Sequence, residues 1–207
     1  MKGTPEEEIG IGSLDKYKTL QKLHHDLKPN LYLEIGVQKG RSLDIANCQA
    51  IGIDPNPRTI AKENQIIRSI TSDEFFATNP QILPDLIFID GLHLFEQALK
   101  DFINCEKISH PGTTILIDDI FPAHPSQALR ERRTQKWTGD VWKILAILKK
   151  YRIDLSLETL DVNPTGLLIV KNLDSSNTSL YENYDSIINE YMNIDTVPQS
   201  ILDRSYA

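Results

Sequence analysis

Short apolar runs recur along the first part of the chain, and each run is continuous rather than alternating with polar positions. Strands that are covered on both faces have this pattern, which is typical of a parallel sheet. Segments with helical spacing lie between the runs, and the alternation predicts an α/β fold with right-handed crossovers. The predicted strands are 31–37, 50–54, 66–70, 85–90 and 113–119, and the predicted helices are 14–28, 42–48, 58–65, 72–79 and 94–108.

The pattern changes after residue 119. Residues 120–139 are polar, basic and proline-bearing, which predicts a lid-like insertion rather than a layer of core. An amphipathic helix at 140–151 then precedes two strand-like runs, 153–161 and 166–172, with the turn signal Asn-Pro-Thr-Gly between them. A parallel pair would need a longer crossover, so these two runs predict an antiparallel hairpin.

Composition narrows the class of protein. The chain has 207 residues, of which 40% are hydrophobic, and a net charge of −7. This size predicts a single domain, with residues 1–13 as an N-terminal extension and residues 174–207 as a C-terminal helix and tail. The negative charge disfavours a nucleic-acid partner. Without an apolar stretch of about 20 residues or a signal-peptide pattern, we expect no membrane partner and a cytoplasmic location. Apolar residues near the C-terminus permit a homodimer.

A glycine-containing turn follows the first predicted strand. Gly36 and Gly40 are spaced as in a nucleotide-binding turn, but Gln38 stands where a dinucleotide fingerprint has its middle glycine. Asp54 ends the next strand, where a carboxylate can accept hydrogen bonds from ribose hydroxyls. The pair of motifs favours a nucleoside ligand without a pyrophosphate, and it disfavours a nicotinamide-dependent oxidoreductase. A purely structural turn is the alternative.

Acidic residues end two further strands. Asp90 closes one strand and Asp118 and Asp119 close the next, so the three side chains can converge at the carboxyl edge of the sheet. Three carboxylates repel one another unless a cation joins them, and oxygen ligands suit Mg²⁺. Neighbouring strand residues point to opposite faces, so Asp118 and Asp119 can share an ion only if the strand ends there. Otherwise one aspartate caps a neighbouring element and the other lies in solvent.

His93 lies three residues after Asp90, in the loop that follows the strand. An imidazole has an ordinary pKa near 6.5, which suits it to take a proton from a hydroxyl. The hypothesis is therefore that His93 is a general base, and the alternative is a structural hydrogen-bonding histidine.

Several stretches, in this order, resemble the class I S-adenosylmethionine-dependent methyltransferases: YLEIGVQKGRS, AIGIDPNP, TSDEFF, DLIFIDGLHLFEQALKDF and ILIDDI. The resemblance spans about residues 14–172 and is strongest to the metal-dependent macrolide-sugar O-methyltransferase branch. It implies a Rossmann-like, mostly parallel sheet of seven strands with helices on both faces and the last strand antiparallel. The sequence departs from that branch in having Asp-Asp instead of Glu-Asp as the acid pair, and in lacking its extra N-terminal domain.

The resemblance also assigns roles to residues. It implies a divalent ion, Mg²⁺ or a similar one, on Asp90, Asp118 and Asp119, and a general base at His93. The residues that it implies for the cofactor S-adenosylmethionine are Glu34, Gly36, Gly40, Ser42, Asp54, Ser72, Asp73 and Asp90.

The predicted function is S-adenosylmethionine-dependent methyl transfer to a hydroxyl of a sugar or other polar small molecule. Asp140 and Trp142 are candidate acceptor contacts. Four basic residues of the insertion either meet an anionic group of the acceptor or form a solvated face: Arg130, Arg132, Arg133 and Lys136. The alternatives are a metal-independent methyltransferase of the same fold and a non-catalytic module that binds S-adenosylmethionine or a nucleotide.

Overall fold

A seven-stranded sheet organises the chain, whose computed structural model describes residues 3–205. The strands are β1 (Leu14–Asp15), β2 (Leu31–Ile35), β3 (Gln49–Ile53), β4 (Gln65–Arg68), β5 (Leu86–Ile89), β6 (Thr114–Asp118), β7 (Ser156–Leu160), β8 (Val162–Asn163) and β9 (Leu167–Lys171), of which β1 and β8 form a separate two-stranded sheet. The seven strands of the main sheet run in the order β4-β3-β2-β5-β6-β9-β7. Strands β2 to β6 are parallel, and β9 is antiparallel to both β6 and β7. The predicted fold class is thereby confirmed, including the C-terminal hairpin.

The helices differ from the sequence prediction in the first half of the chain. Residues 42–48 form only the short 3₁₀ turn Leu43–Ile45, and residues 58–65 form no helix. Ile60 is 89% exposed, so the second segment has no apolar face to bury against the sheet, and that prediction was wrong. The helices are α1 (Lys16–Leu27), α2 (Ser72–Ala77), α3 (Phe95–Lys107), α4 (Lys143–Tyr151), α5 (Ser179–Glu182), α6 (Tyr184–Met192) and α7 (Gln199–Leu202), with a second 3₁₀ turn at Pro125–Gln127.

Two hydrophobic cores cover the two faces of the sheet. In β5, Ile87 and Ile89 belong to the core that α3, α4 and α6 help to form, whereas Leu86 and Phe88 face the core that contains Leu20 of α1. Both faces of the strand are therefore buried, because successive strand side chains point to opposite sides. This explains why the strand sequences are continuously apolar.

The described helices are all too short or too polar to cross a bilayer, so residues 3–205 contain no candidate membrane span.

Candidate active site

A cavity of about 760 Å³ opens at the carboxyl ends of the parallel strands. Residues that follow β2, β3, β5 and β6 form its floor, and residues of α1 and of the 120–139 segment close it from other sides. This is the edge at which open α/β sheets bind ligands.

The glycine turn brings β2 close to β5. Gly36 has φ +93°, and a Cβ atom added there would lie 1.7 Å from the carbonyl oxygen of Asp90, so a larger residue would clash with backbone. Asp54 lines the cavity beyond this turn, and its two carboxylate oxygens accept hydrogen bonds from the amides of Gln38 and Asn56, each at 2.7 Å. Each oxygen retains a second lone pair, so the fixed carboxylate can still accept hydrogen bonds from a ligand.

Glu34 lies beneath the turn and outside the lining of the cavity. It is fully buried and accepts hydrogen bonds from the hydroxyls of Tyr32 and Ser42, both at 2.7 Å. Burial raises the pKa of Glu34 to about 8, since desolvation outweighs the two hydrogen bonds that favour its charged form. Neither Ser42 nor Gly40 lines the cavity, so these three predicted cofactor residues support the turn from behind as the side chains stand.

The first turn of α2 forms one end of the cavity, with Ser72 and Asp73 in its lining. Gln97 of α3, which the sequence did not point to, donates from Nε2 to Ser72 Oγ at 3.3 Å and to Asp73 Oδ1 at 3.2 Å. Lys100 also holds the Asp73 carboxylate, at 2.7 Å. The polar groups at this end therefore have fixed positions.

The three predicted aspartates meet at the centre of the cavity. Asp118 ends β6 and, by strand alternation, shares the α1 side of the sheet with Leu116. Asp119 then adopts φ +64°, a left-handed conformation that ends the strand and redirects the chain. The expectation that the strand ends at this pair is confirmed, and both carboxylates line the same cavity as Asp90.

Lys16, the first residue of α1, lies among these acids, and the sequence analysis did not identify it. Its ammonium group donates to Asp90 Oδ2 at 2.9 Å and to Asp118 Oδ2. Burial alone lowers the pKa of Lys16, but the carboxylates of Asp118, Asp90 and Asp119 more than reverse this and raise it well above its usual range. We call Lys16, Asp90, His93, Asp118 and Asp119 the site cluster.

His93 completes the site cluster. Its Nδ1 donates to the carbonyl oxygen of Trp137 at 2.8 Å and lies 2.9 Å from Asp119 Oδ2, and both contacts place the proton on Nδ1. Its Nε2 lies 3.8 Å from Asp90 Oδ1, which is too far for a hydrogen bond. Burial lowers the pKa of His93, but the charge of Asp119 and its hydrogen bond dominate, with Asp90 and Trp137 adding to them, and the pKa is raised to about 9.

The 120–139 segment covers the cluster. The indole of Trp137 stacks on the imidazole of His93, with ring centroids 5.0 Å apart and planes within 3° of parallel. Gly139 passes so close that an added Cβ would lie 1.7 Å from the His93 carbonyl oxygen. Arg132 and Lys136 line the cavity, whereas Arg130 pairs with Glu96 and Asp140, and Arg133 with Glu131.

Asp140 and Trp142, the candidate acceptor contacts, lie in the interior instead. Asp140 is 2% exposed and accepts from the amide of Phe95, from Arg130 and from Lys143, at 2.7 to 2.9 Å. Trp142 belongs to the core on the α3 face. Neither side chain lines the cavity, so as the cavity stands neither can contact an acceptor in it.

Part of the site cluster has the donor types and spacing of a metal site. Asp90, His93 and Asp119 each offer a ligand atom, and these atoms all lie within 4.8 Å of one another. Asp118 is not in this group, and its Oδ1 is buried without a hydrogen-bond partner among the described residues.

Known proteins share this architecture. SAH-bound methyltransferase PaMTH1 from Podospora anserina has a TM-score of 0.57 at 16% identity over 77% of this chain and 78% of that one. An O-methyltransferase from Bacillus cereus in complex with SAH has a TM-score of 0.54 at 15% identity, covering 75% and 79%. The O-methyltransferase TomG from Streptomyces achromogenes, in complex with SAM and involved in tomaymycin synthesis, has a TM-score of 0.54 at 14% identity, covering 77% and 80%. Likenesses at this identity show the fold.

A family comparison adds to the structural one. No curated protein matches the chain in sequence. Residues 33–120, which run from β2 to just beyond Asp119, match the family model described as a methyltransferase domain. Residues 33–120 are thus similar to a methyltransferase domain, the solved methyltransferases share the fold of the chain, and both findings agree with the resemblance in the sequence.

Proposed function

We propose that the protein transfers a methyl group from S-adenosylmethionine to a hydroxyl of a polar small molecule, with His93 as the general base. One observation carries this proposal: His93 is held by two partners at Nδ1, while its Nε2 has no hydrogen bond among the described residues and its side chain lines the cavity. A general base needs a fixed ring and one free nitrogen.

The cofactor fits along the strand ends in this proposal. The Asp54 carboxylate accepts hydrogen bonds from the ribose hydroxyls, and the methionine portion passes Gly36, which lines the cavity. The adenine lies beside Ser72, Asp73 and Gln97. Glu34, Gly40 and Ser42 then act indirectly, by holding the turn.

The chemistry balances without a further reactant. The acceptor hydroxyl oxygen attacks the methyl carbon, the carbon–sulfur bond breaks, and S-adenosylhomocysteine leaves with the electron pair. The hydroxyl proton passes to Nε2 of His93, and the imidazolium that forms is stabilised by Asp119, 2.9 Å from Nδ1. Alignment of the hydroxyl with the methyl carbon supplies most of the remaining rate enhancement.

A sugar or polyol is the proposed acceptor, because the lining near His93 is mainly polar or charged. Arg132, Gln135 and Lys136 offer hydrogen bonds to several hydroxyls, and Trp137 offers one flat surface. Arg132 also makes an anionic group on the acceptor compatible with the site, since no carboxylate of the described residues pairs with it.

A divalent ion does not fit the predicted three-aspartate site as the side chains stand, because Lys16 already contacts Asp90 and Asp118. The group Asp90, His93 and Asp119 has suitable donors, but a nitrogen that binds a metal cannot also accept a proton. The metal-independent version of the reaction is therefore favoured, and the Mg²⁺-dependent version, the homodimer and the cytoplasmic location remain predictions.

Calorimetric titration with S-adenosylhomocysteine tests the cofactor assignment. We expect micromolar binding by the wild type and at least about tenfold weaker binding by Asp54→Asn, which keeps an acceptor oxygen but loses the charge. Asp44→Asn is the matched control, because Asp44 is an exposed aspartate outside the cavity.

A panel of sugars, polyols and catechols with labelled S-adenosylmethionine then identifies the acceptor class. Absence of cofactor binding would contradict the proposal as a whole. Binding without transfer to any acceptor would instead favour the non-catalytic module.

A further inference from the structure

We propose that Lys16 is a built-in cation of the site, which takes the place of a divalent ion between Asp90 and Asp118. This inference concerns the mechanism of the proposed methyl transfer and rests on that function only for its catalytic meaning. The exclusion of a metal ion by Lys16 is a binding property that can be measured separately.

The backbone directs these three side chains toward one point. Asp118 points to the α1 side of the sheet, and Asp90 continues the alternation of β5 toward the same side. Lys16 stands at the start of α1 on that side, where its ammonium group also lies 5.3 Å from the centroid of the Phe88 ring. The lysine side chain is only 17% exposed, so it is packed into the wall of the cavity.

The contacts use the oxygens that an ion would need. Lys16 Nζ lies 2.9 Å from Asp90 Oδ2 and contacts Asp118 Oδ2, so one ammonium group bridges the two carboxylates. A magnesium ion binds oxygen at about 2.0–2.1 Å and would have to displace this ammonium group or lie within a few ångströms of it. Two like charges at such a distance in a partly buried site repel strongly.

The carboxylates of the site cluster are already paired with basic side chains, so little unpaired negative charge remains to bind a second cation. Asp90 and Asp118 share Lys16, and Asp119 pairs with His93 at 2.9 Å. One oxygen of this group, Asp118 Oδ1, is buried without a hydrogen-bond partner among the described residues. Lys16 holds the other oxygen of this carboxylate and so fixes the orientation of the Asp118 side chain. Lys16 is thus a positioning residue for Asp118.

Manganese binding tests the proposal directly, because Mn²⁺ prefers the same oxygen donors as Mg²⁺ and is visible by electron paramagnetic resonance. We expect no binding by the wild type at millimolar Mn²⁺. Lys16→Met should bind Mn²⁺ at least about tenfold more tightly, since its carboxylates lack their cation. Lys22→Met is the matched control: this lysine is exposed on the same helix and pairs with Asp26, so its removal should leave Mn²⁺ binding at the wild-type level.

Two results would overturn the proposal. One is tight Mn²⁺ binding by the wild type, which needs no variant and therefore decides even if Lys16→Met fails to fold. The other is the absence of Mn²⁺ binding by a folded Lys16→Met, which would show that the lysine is not what excludes the ion. Titration of the same samples with S-adenosylhomocysteine separates a failure of this inference from a failure of the proposed function.

Discussion

Two groups of buried charges in this protein differ in how completely they are hydrogen-bonded. One is the core pair, Arg152 and Glu106, which joins the end of α4 to the end of α3. Arg152 is 1% exposed and donates from both terminal nitrogens to the two Glu106 oxygens, one of them at 2.8 Å. Its Nε and Nη2 also donate to Asp154, and the amide of Asp174 donates to Glu106. Fork-to-fork pairing of this kind uses nearly every donor and acceptor.

The hydrogen bonding within the site cluster is less complete than that of the core pair. Asp118 keeps an oxygen without a partner among the described residues, and His93 Nε2 lies 3.8 Å from the nearest carboxylate oxygen of Asp90. Asp118 and His93 are also among the residues that line the cavity, whereas Arg152 and Glu106 are not. Buried polar groups normally have hydrogen-bond partners. Groups beside a cavity that lack such partners therefore indicate a site at which a ligand supplies them. Asp140, with its three donors, belongs with the core pair by this criterion.

The largest expected effect on turnover comes from replacing His93, which removes the imidazole and its free Nε2. His93→Ala should lower turnover by about 10²–10⁴-fold, the usual contribution of a general base, while S-adenosylhomocysteine binding stays near the wild-type value. Initial rates with labelled S-adenosylmethionine and the acceptor found by the panel measure this loss. His25→Ala is the control, since that histidine is 84% exposed on α1. Full turnover by His93→Ala would remove the base from the mechanism.

The pH profile sharpens the same assignment. With a pKa of about 9, which is raised by Asp119 against the effect of burial, His93 is mostly protonated at neutral pH and cannot accept a proton. The rate should therefore rise by about tenfold per pH unit up to that pKa and then level off. Asp119→Asn should shift the rise to lower pH, because it removes the charge that favours the imidazolium. A profile that is flat from neutral pH to pH 9 in the wild type would contradict His93 as the base.

The sequence predicted the strands and the acids that end them, because both follow from local pattern. Continuous apolar runs define β2 to β6, and parallel topology then brings Asp90, Asp118 and Asp119 to one edge. Lys16 was not predictable in this way, because its contacts span 74 and 102 residues and depend on where α1 packs.

Asp140 failed as a candidate for a related reason. An aspartate beside tryptophans resembles an acceptor contact in sequence, and only the fold brings Arg130 and Lys143 to its carboxylate. The segment 58–65 looked helical in its local spacing, but no apolar surface of the sheet lies opposite Ile60. Local patterns thus predict which residues are polar and where strands end, but not which polar groups satisfy one another.

The core pair should affect stability rather than catalysis. Arg152→Met leaves Glu106 buried without its cation, and we expect a loss of about 3–5 kcal/mol in the free energy of unfolding. Urea denaturation followed by circular dichroism measures it. Arg133→Met, which breaks the exposed pair with Glu131, should cost less than about 1 kcal/mol. If Arg152→Met were as stable as Arg133→Met, complete hydrogen bonding would not mark the core pair as a stabilising group, and the contrast with the site cluster would fail.

Glu34 gives a third case for the comparison, a buried carboxyl group with no cation among its hydrogen-bond partners. Because its pKa in the folded protein is about 8, above the ordinary value of 4.5, the folded state binds the proton more tightly than the unfolded chain does. The stabilisation is therefore complete below the ordinary pKa and is lost as the pH rises through 8, by at most about 1.4 kcal/mol per pH unit. Glu34→Gln stays neutral and should lose this slope, since the hydroxyls of Tyr32 and Ser42 can rotate to suit an amide.

Urea denaturation of both proteins across this pH range measures the difference, and Glu158→Gln, at an exposed position of β7, controls for the loss of one acidic group. Parallel pH dependence of the wild type and Glu34→Gln would mean that Glu34 is ionised in the fold. The two hydroxyl donors would then suffice to hold a buried charge, and an unsatisfied atom such as Asp118 Oδ1 would be weaker grounds for a ligand site.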